Sequence, residues 1–139
     1  DLEPFERLRS APMGMVAHII FQAWDPDHAS SQSAKIIEGI IRGRIGFDGF
    51  LMTDDLGMSA RSGWVGERAA RAIAAGCDAA LHCSGKFDEM TEIGERIGQL
   101  SAEAEARLSR AMAGAMLGKD DGPDLAACTA KRDELLALA

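Results

Sequence analysis

The sequence predicts an α/β fold in which parallel strands alternate with helices. Three short runs are apolar on both faces, as is typical of strands buried in a parallel sheet. Each run is followed by apolar residues at helical spacing, which favours the helical crossover that joins parallel strands. The predicted strands cover residues 15–21, 48–53 and 78–83.

Helical periodicity and capping residues define the other elements. Ser30, Ser31 and Ser33 are candidate N-caps for a helix whose isoleucines repeat at helical spacing from Ile36 to Ile41. Glycines and a proline mark the expected helix ends and starts. The predicted helices are residues 2–9; 36–42, ended by Gly43; 67–75, ended by Gly76; 87–97; 101–117, ended by Gly118; and 123–138, opened by Pro123.

Three strands are few for an open parallel sheet, because at least one long apolar edge stays unpaired. The chain is therefore either an unusually small α/β domain or part of a (β/α)8 barrel, which needs roughly 250 residues. No strand is predicted after residue 83, which favours the C-terminal end of a barrel. We assign residues 1–117 to the barrel and 118–139 to a C-terminal helical extension.

Composition excludes several classes of function. Fifteen basic and twenty-two acidic residues give a net charge of −7, which argues against nucleic acid or an anionic membrane as the main partner. No apolar run approaches the roughly 18 residues of a membrane span, and the first residues do not resemble a signal peptide. Cys77, Cys83 and Cys128 have no C-x-x-C spacing, which favours a reduced cytoplasmic compartment and predicts no metal site.

The strongest local signal is the segment 46–58, where a buried strand ends in two adjacent carboxylates, Asp54 and Asp55. Parallel α/β folds place their active sites at the carboxyl ends of strands. Adjacent strand residues point to opposite sides, so the two acids are not expected to share one role. The spacing alone is equally consistent with a purely structural role in which both residues begin a helix, because Asp is a favoured N-cap.

The segment 53–58, preceded by 46–49, resembles the nucleophile segment of glycoside hydrolase family 3. The resemblance is specifically to the bacterial cytoplasmic β-N-acetylhexosaminidases that recycle cell-wall fragments. It continues in order over residues 1 to about 112 and implies a TIM-type barrel, with strands six to eight in this chain. The supporting similarities are residues 1–5 to the helix before strand six, 15–21 and 25–27 to strand six and its loop, and 67–69 and 75–78 to the approach to strand eight.

The resemblance also implies a reaction, the hydrolysis of terminal β-linked N-acetylglucosamine with retention of configuration. Muropeptides from peptidoglycan or chitooligosaccharides are the implied substrates. The resemblance implies that Asp54 is the covalent nucleophile and that Asp55 has a supporting role in the loop. This chemistry needs no metal or redox cofactor. The family's His–Asp acid/base and its Lys-His-Phe-Pro-Gly-His-Gly-type sugar-binding motif do not occur in this sequence. We therefore expect the parent protein to be an enzyme and this chain alone to be inactive.

Three further residues are candidates for the site. His18 lies in the first predicted strand and by alternation could face the barrel mouth and the sugar, although a core histidine is equally expected. Met58 could line the sugar pocket, with core packing as the alternative. His82 invites a catalytic pairing with Cys83, but we favour a packed histidine beside a buried thiol.

Two other interpretations remain open. The chain could be a truncated, non-catalytic α/β module that self-associates, since the strands at 15–21 and 78–83 would each lack a neighbour. The second interpretation is a small flavodoxin-like binding domain. The lack of a glycine-rich phosphate loop at the first strand–helix turn argues against it.

Overall fold

The computed structural model describes residues 1–58, 63–116 and 124–137. The chain is mixed α/β, which confirms the predicted fold class. Single 3-10 turns at Ser30–Gln32 and Leu56–Met58 come after the two strands. The strands and longer helices are α1 (Glu3–Arg7), β1 (Met13–Val16), α2 (Lys35–Ile45), β2 (Phe50–Thr53), α3 (Val65–Ala74), α4 (Phe87–Ile97), α5 (Ala102–Met116) and α6 (Leu125–Leu136).

The sheet is parallel, as the sequence predicts. Strand β1 pairs with β2 in a register that joins Met13 to Phe50 and Val16 to Thr53. On the other side of β2, Met52 forms an isolated parallel bridge with Ala79. Three chain segments therefore run side by side in one direction, with β2 in the middle.

The predicted third strand at 78–83 is wrong in extent, because only the bridge at Ala79 forms. The Thr53 amide still donates to the Ala79 carbonyl at 3.1 Å. The next amide of the segment to face β2, that of Leu81, donates to the Thr53 hydroxyl at 3.0 Å instead of to a backbone carbonyl. A side chain thus replaces the next backbone partner, and the ladder ends.

The predicted first strand at 15–21 is also wrong in its bounds, since β1 ends at Val16. Two carbonyls beyond that point are taken by the loop that follows. The Ala17 carbonyl accepts a hydrogen bond from Ser30 Oγ at 2.6 Å, and the Ile19 carbonyl accepts one from the Ser30 amide at 2.7 Å. The loop therefore satisfies the acceptors that a longer strand would have offered to a neighbouring strand.

Helix α2 buries Ile36 and Ile37 on the predicted face but does not end at Gly43 as predicted. Its turns are widened to the π form and continue to Ile45. The first residue with a left-handed backbone is Gly46, at φ 76°, so Gly46 ends the helix. Ser33 Oγ accepts the Ile36 amide at 3.2 Å, which confirms one of the predicted capping serines.

The later helices follow the prediction closely. Helix α3 is followed by Gly76 at φ 108°, α4 covers the predicted residues, and Ser101 Oγ accepts the Ala104 amide before α5. Helix α6 begins after Asp124, whose side chain accepts the Ala126 amide. Gly118, where a helix end and the domain boundary are predicted, and Pro123 lie outside the described residues. None of the described helices is long and apolar enough to cross a bilayer.

Two apolar clusters hold the strands and helices together. The first joins the sheet to α2 and to the end of α3, and the second joins the 3-10 turn after β2 to α3 and α4. The second cluster includes Leu56, the residue that directly follows Asp55. The first contains Val16, Ile37, Phe47, Leu51, Ala72, Ala75 and Cys77, and the second Leu56, Val65, Ala69 and Ile93.

Asp78 is a buried ionic link between the sheet and two helices. Its side chain is 4% exposed and accepts hydrogen bonds from Arg42 Nη2 of α2 and from Arg107 Nη1 of α5, both at 2.8 Å. The Leu51 amide of β2 also donates to it at 2.8 Å. Arg42 Nη1 in turn donates to backbone carbonyls just before β2. The buried charge is thus compensated by two cations and a backbone donor.

Candidate active site

The three parallel segments end at the same edge of the sheet, and each carries a polar side chain just beyond that point. His18 follows β1, Asp54 and Asp55 follow β2, and His82 follows the segment bridged at Ala79. The Asp54 amide donates to the Val16 carbonyl at 2.9 Å. The first carboxylate therefore begins directly at the edge of the sheet, where parallel α/β folds place their chemistry.

Asp54 presents a half-buried carboxylate with one oxygen held in place. Its Oδ1 accepts a hydrogen bond from the amide of Asp55 at 2.8 Å. Its Oδ2 makes no hydrogen bond within residues 1–58, 63–116 and 124–137. The side chain thus has an orienting contact on one oxygen only.

Asp55 is tied into the protein by its own side chain. Its Oδ1 accepts hydrogen bonds from the Gly57 amide at 2.9 Å and from the Cys83 amide at 3.0 Å. These amide donors, first Gly57 and then Cys83, hold the pKa of the Asp55 carboxyl below its usual value. Asp55 therefore links the loop after β2 to the end of the neighbouring segment, whereas Asp54 does not.

His18 uses both ring nitrogens within the protein. Nδ1 lies 2.6 Å from Ser31 Oγ, and Nε2 lies 3.2 Å from the main-chain carbonyl oxygen of Asp55. Ser31 is fully buried in the 3-10 turn after β1. The histidine thus connects this turn to the second of the two adjacent acids.

His82 lies near the Asp55 carboxylate, and its side chain is only 5% exposed. Its Nε2 lies 2.8 Å from Glu89 Oε2 and 2.7 Å from Ser84 Oγ. Its Nδ1 lies 3.7 Å from Asp55 Oδ1, which is too long for a hydrogen bond. The packed role predicted for His82 is confirmed.

The expectation of a buried thiol next to His82 is wrong, because Cys83 is exposed. The buried thiol is that of Cys77, where burial and then the Asp78 charge raise the pKa to about 12. A thiol with so high a pKa is a poor nucleophile at neutral pH. Cys77 is therefore a structural residue.

Met58 ends the 3-10 turn after Asp55, and its side chain is 70% exposed. Among the described residues it does not belong to either apolar cluster, and the alternative of core packing also stays untested. Its contact with a sugar stays a prediction.

Sequence reasoning missed the part played by Asp25 in the loop between β1 and α2. Asp25 is 2% exposed and accepts hydrogen bonds from Ser33 Oγ at 2.7 Å and from the Asp27 amide and His28 Nδ1 at 3.2 Å. The bond from Ser33, the largest cause, together with the His28 and Asp27 contacts, lowers the pKa of Asp25 to about 2. Asp25 thereby orders the loop that carries Ser31. The only sequence signal is the turn-forming Asp-Pro-Asp-His run.

Comparison with known proteins identifies the family to which this chain is similar. The family model described as the glycosyl hydrolase family 3 N-terminal domain matches residues 1–114. The β-hexosaminidase of Chromobacterium violaceum is 44% identical over 88 residues, and that of Alkalilimnicola ehrlichii is 43% identical over 88 residues. Each alignment covers 60% of this chain, and 24% and 25% of the two relatives. The chain spans about a quarter of the length of the curated relatives it matches.

Two solved structures are also similar to this chain. The glycoside hydrolase family 3 β-N-acetylglucosaminidase of a Paenibacillus species matches with a TM-score of 0.68 and 28% identity, over 89% of this chain and 27% of its own. The β-N-acetylhexosaminidase of Beutenbergia cavernae matches with a TM-score of 0.59 and 25% identity, over 76% and 33%. Because the matched family region covers residues 1–114 of 139, this chain belongs to glycosyl hydrolase family 3, within its N-terminal, TIM-barrel-type domain.

Proposed function

We propose that this chain forms the last three β/α units, strands six to eight, of the barrel of a retaining β-N-acetylglucosaminidase. The support is the arrangement of three parallel segments whose carboxyl ends bring polar side chains to one edge. One observation carries the proposal. Asp54 lies at that edge with Oδ1 oriented by an amide, while its neighbour Asp55 is tied to Gly57 and Cys83. This division of roles is the one that a nucleophile and a supporting acid require.

In the proposed mechanism the ionised Asp54 carboxylate attacks the anomeric carbon of the terminal sugar. The glycosidic C–O bond breaks, and a general acid supplied by residues outside this chain protonates the leaving oxygen. A covalent glycosyl ester on Asp54 results. The same acid, now a base, activates a water that releases the sugar with its original configuration. Asp55 holds the loop in shape throughout.

The proposed substrate class is a terminal β-linked N-acetylglucosamine, in a peptidoglycan-derived muropeptide or a chitooligosaccharide. The names of the relatives, β-hexosaminidase and β-N-acetylglucosaminidase, support N-acetylglucosamine as the proposed terminal sugar. The exposed thioether of Met58 is a proposed sugar contact, because it lies four residues beyond Asp54 and belongs to neither apolar cluster of the described residues. We propose a cytoplasmic location, which three free cysteines favour.

The experiment that tests the proposal follows the anomer of the first product. In the full-length protein that contains this chain, hydrolysis of a nitrophenyl N-acetyl-β-glucosaminide should release β-N-acetylglucosamine first, as seen by proton NMR before mutarotation. Initial release of the α anomer would contradict a covalent role for Asp54, because single displacement inverts the configuration.

A second expectation concerns the 139-residue chain assayed alone. We expect no more than trace hydrolysis of the nitrophenyl substrate, because nothing in the proposed mechanism lets this chain protonate the leaving oxygen. The full-length protein serves as the positive control in the same assay. Robust turnover by the purified 139-residue chain would refute the proposal that the acid lies elsewhere.

The alternative of a self-associating, non-catalytic module has one observation in its favour. Met13 and Met15 of β1, and Ile19 in the segment that follows it, expose 37%, 54% and 51% of their surfaces. Within the described residues β1 pairs only with β2, so its outer edge also exposes backbone groups. We expect the 139-residue chain to sediment as oligomers at tens of micromolar, roughly the range in which exposed edges associate. A clean monomer at that concentration would contradict this expectation.

A further inference from the structure

We propose that His18 is a positioning residue for the nucleophile, which it holds in place through the peptide of Asp55. This inference rests on the proposed role of Asp54. It replaces the expectation that His18 contacts the sugar, and the sugar contact becomes the alternative that the experiment must distinguish.

The hydrogen bonds of His18 define which ring nitrogen carries the proton in the neutral ring. The partner of Nε2 is the Asp55 main-chain carbonyl at 3.2 Å, which can only accept, so Nε2 must carry a proton. In a neutral ring Nδ1 is then an acceptor, and the Ser31 hydroxyl at 2.6 Å donates to it. Ser31 is fully buried, so its hydroxyl is not a mobile surface group.

The residue that His18 holds is itself bonded to the nucleophile. The Asp55 amide donates to Asp54 Oδ1 at 2.8 Å, and the carbonyl of the same residue accepts from His18. The side chain of Asp55 is anchored separately, by the amides of Gly57 and Cys83. The same peptide plane is also held by the Met58 amide, which donates to the Asp55 carbonyl at 3.0 Å, and by the Leu56 amide, which donates to the Leu81 carbonyl at 2.9 Å. Loss of the His18 contact removes the side-chain restraint on this plane and leaves the two backbone bonds. The amide that orients the Asp54 carboxylate then has one restraint fewer.

Small displacements of a nucleophile are costly. A misplacement of about 1 Å reduces turnover on the order of 10²-fold, because the reacting atoms must be held close to their attack geometry. The sugar-contact alternative would instead require a hydroxyl of the sugar to displace either Ser31 or the Asp55 carbonyl from the ring. Both ring nitrogens are engaged without the sugar, which favours positioning.

The test compares variants of the full-length protein by steady-state kinetics. His18→Leu removes both ring contacts and should lower kcat by about 10-fold to 100-fold, with KM within about twofold. His18→Gln keeps an N–H donor near the Nε2 position and should recover most of the loss. Ser31→Ala removes only the hydroxyl that orients the ring and should lower kcat by less than His18→Leu. Gln22→Ala, which truncates an exposed side chain of the same loop outside the Asp25 network, is the control and should leave both constants unchanged.

Three outcomes would overturn the proposal. These are a raised KM with kcat retained, no change in either constant for His18→Leu, and a glutamine variant as impaired as the leucine variant. If His18→Leu does not fold, the Gln and Ser31→Ala variants decide by the same KM-against-kcat comparison.

A readout independent of turnover separates this proposal from the role of Asp54. In nitrogen-15 NMR of the full-length protein, the His18 ring should show a protonated Nε2 and an unprotonated Nδ1, and addition of N-acetylglucosamine should leave both signals in place. Large shifts of the ring nitrogens on adding the sugar would overturn positioning. If Asp54 proves not to be the nucleophile while the ring pattern holds, the proposed function fails and the His18–Asp55 contact remains.

Discussion

Replacing Asp54 with Asn in the full-length protein should lower kcat by about 10³-fold or more. The amide keeps the shape of the side chain, so the protein should fold and bind sugar. It cannot attack the anomeric carbon, and it does not stabilise the positive charge that develops on the sugar. The measurement is turnover of a nitrophenyl N-acetyl-β-glucosaminide, with sugar binding measured separately by calorimetry.

Asp55→Asn is the matched control, because it makes the same chemical change at the adjacent residue. The asparagine retains an oxygen that can accept the Gly57 and Cys83 amides, as Asp55 Oδ1 does now. We therefore expect a smaller loss, about 10-fold, through a looser loop. Equal losses in the two variants would indicate general damage to the loop. Near-normal turnover by Asp54→Asn would mean that the nucleophile is another carboxylate.

The largest expected effect on stability is that of Asp78→Ala, which should lower the free energy of unfolding by about 3 kcal/mol or more. The side chains of Asp78 and Arg42 are only 4% and 16% exposed. Truncation leaves the Arg42 cation largely buried without its carboxylate and removes the acceptor of the buried Leu51 amide. Both losses are costly because water cannot replace the missing partner. Urea unfolding of the 139-residue chain, at one protein concentration for all variants, measures the change.

Asp48→Ala provides the control for Asp78. Asp48 pairs with Arg107, as Asp78 does, and also with Arg110, but its side chain is 75% exposed. An exposed ion pair contributes no more than about 1 kcal/mol, so this variant should be nearly as stable as the wild type. Similar losses for Asp48→Ala and Asp78→Ala would contradict the argument that burial makes the Asp78 network important.

The general architecture could be predicted because it depends on local pattern. Apolar runs and helical spacing predicted parallel segments and most of the helices, and the position of Asp54 and Asp55 after β2 follows directly from the sequence. The strand ends could not be predicted in this way. They depend on where Ser30 and Thr53 place their side chains, and each of these bonds a residue 13 or more positions away.

The candidate site, like the fold, could be predicted from the sequence only in part. The adjacent acids were visible in the sequence, whereas their different surroundings were not. Asp55 differs from Asp54 because the Cys83 amide, 28 residues later, approaches its carboxylate. Likewise, strand alternation indicated a direction for the His18 side chain but gave no sign of Ser31 as its partner. A sequence motif locates the candidate residues, whereas tertiary contacts of this kind distinguish their roles.

The most direct measurement is the identification of the residue that carries the covalent intermediate. The full-length protein is incubated with a slow fluorinated N-acetylglucosaminide, digested, and analysed by peptide mass spectrometry. The mechanism requires the glycosyl group to be attached to Asp54, next to the unlabelled Asp55. A label on Asp55, or on a carboxylate outside the segment 46–58, would contradict the assignment of Asp54 as the nucleophile.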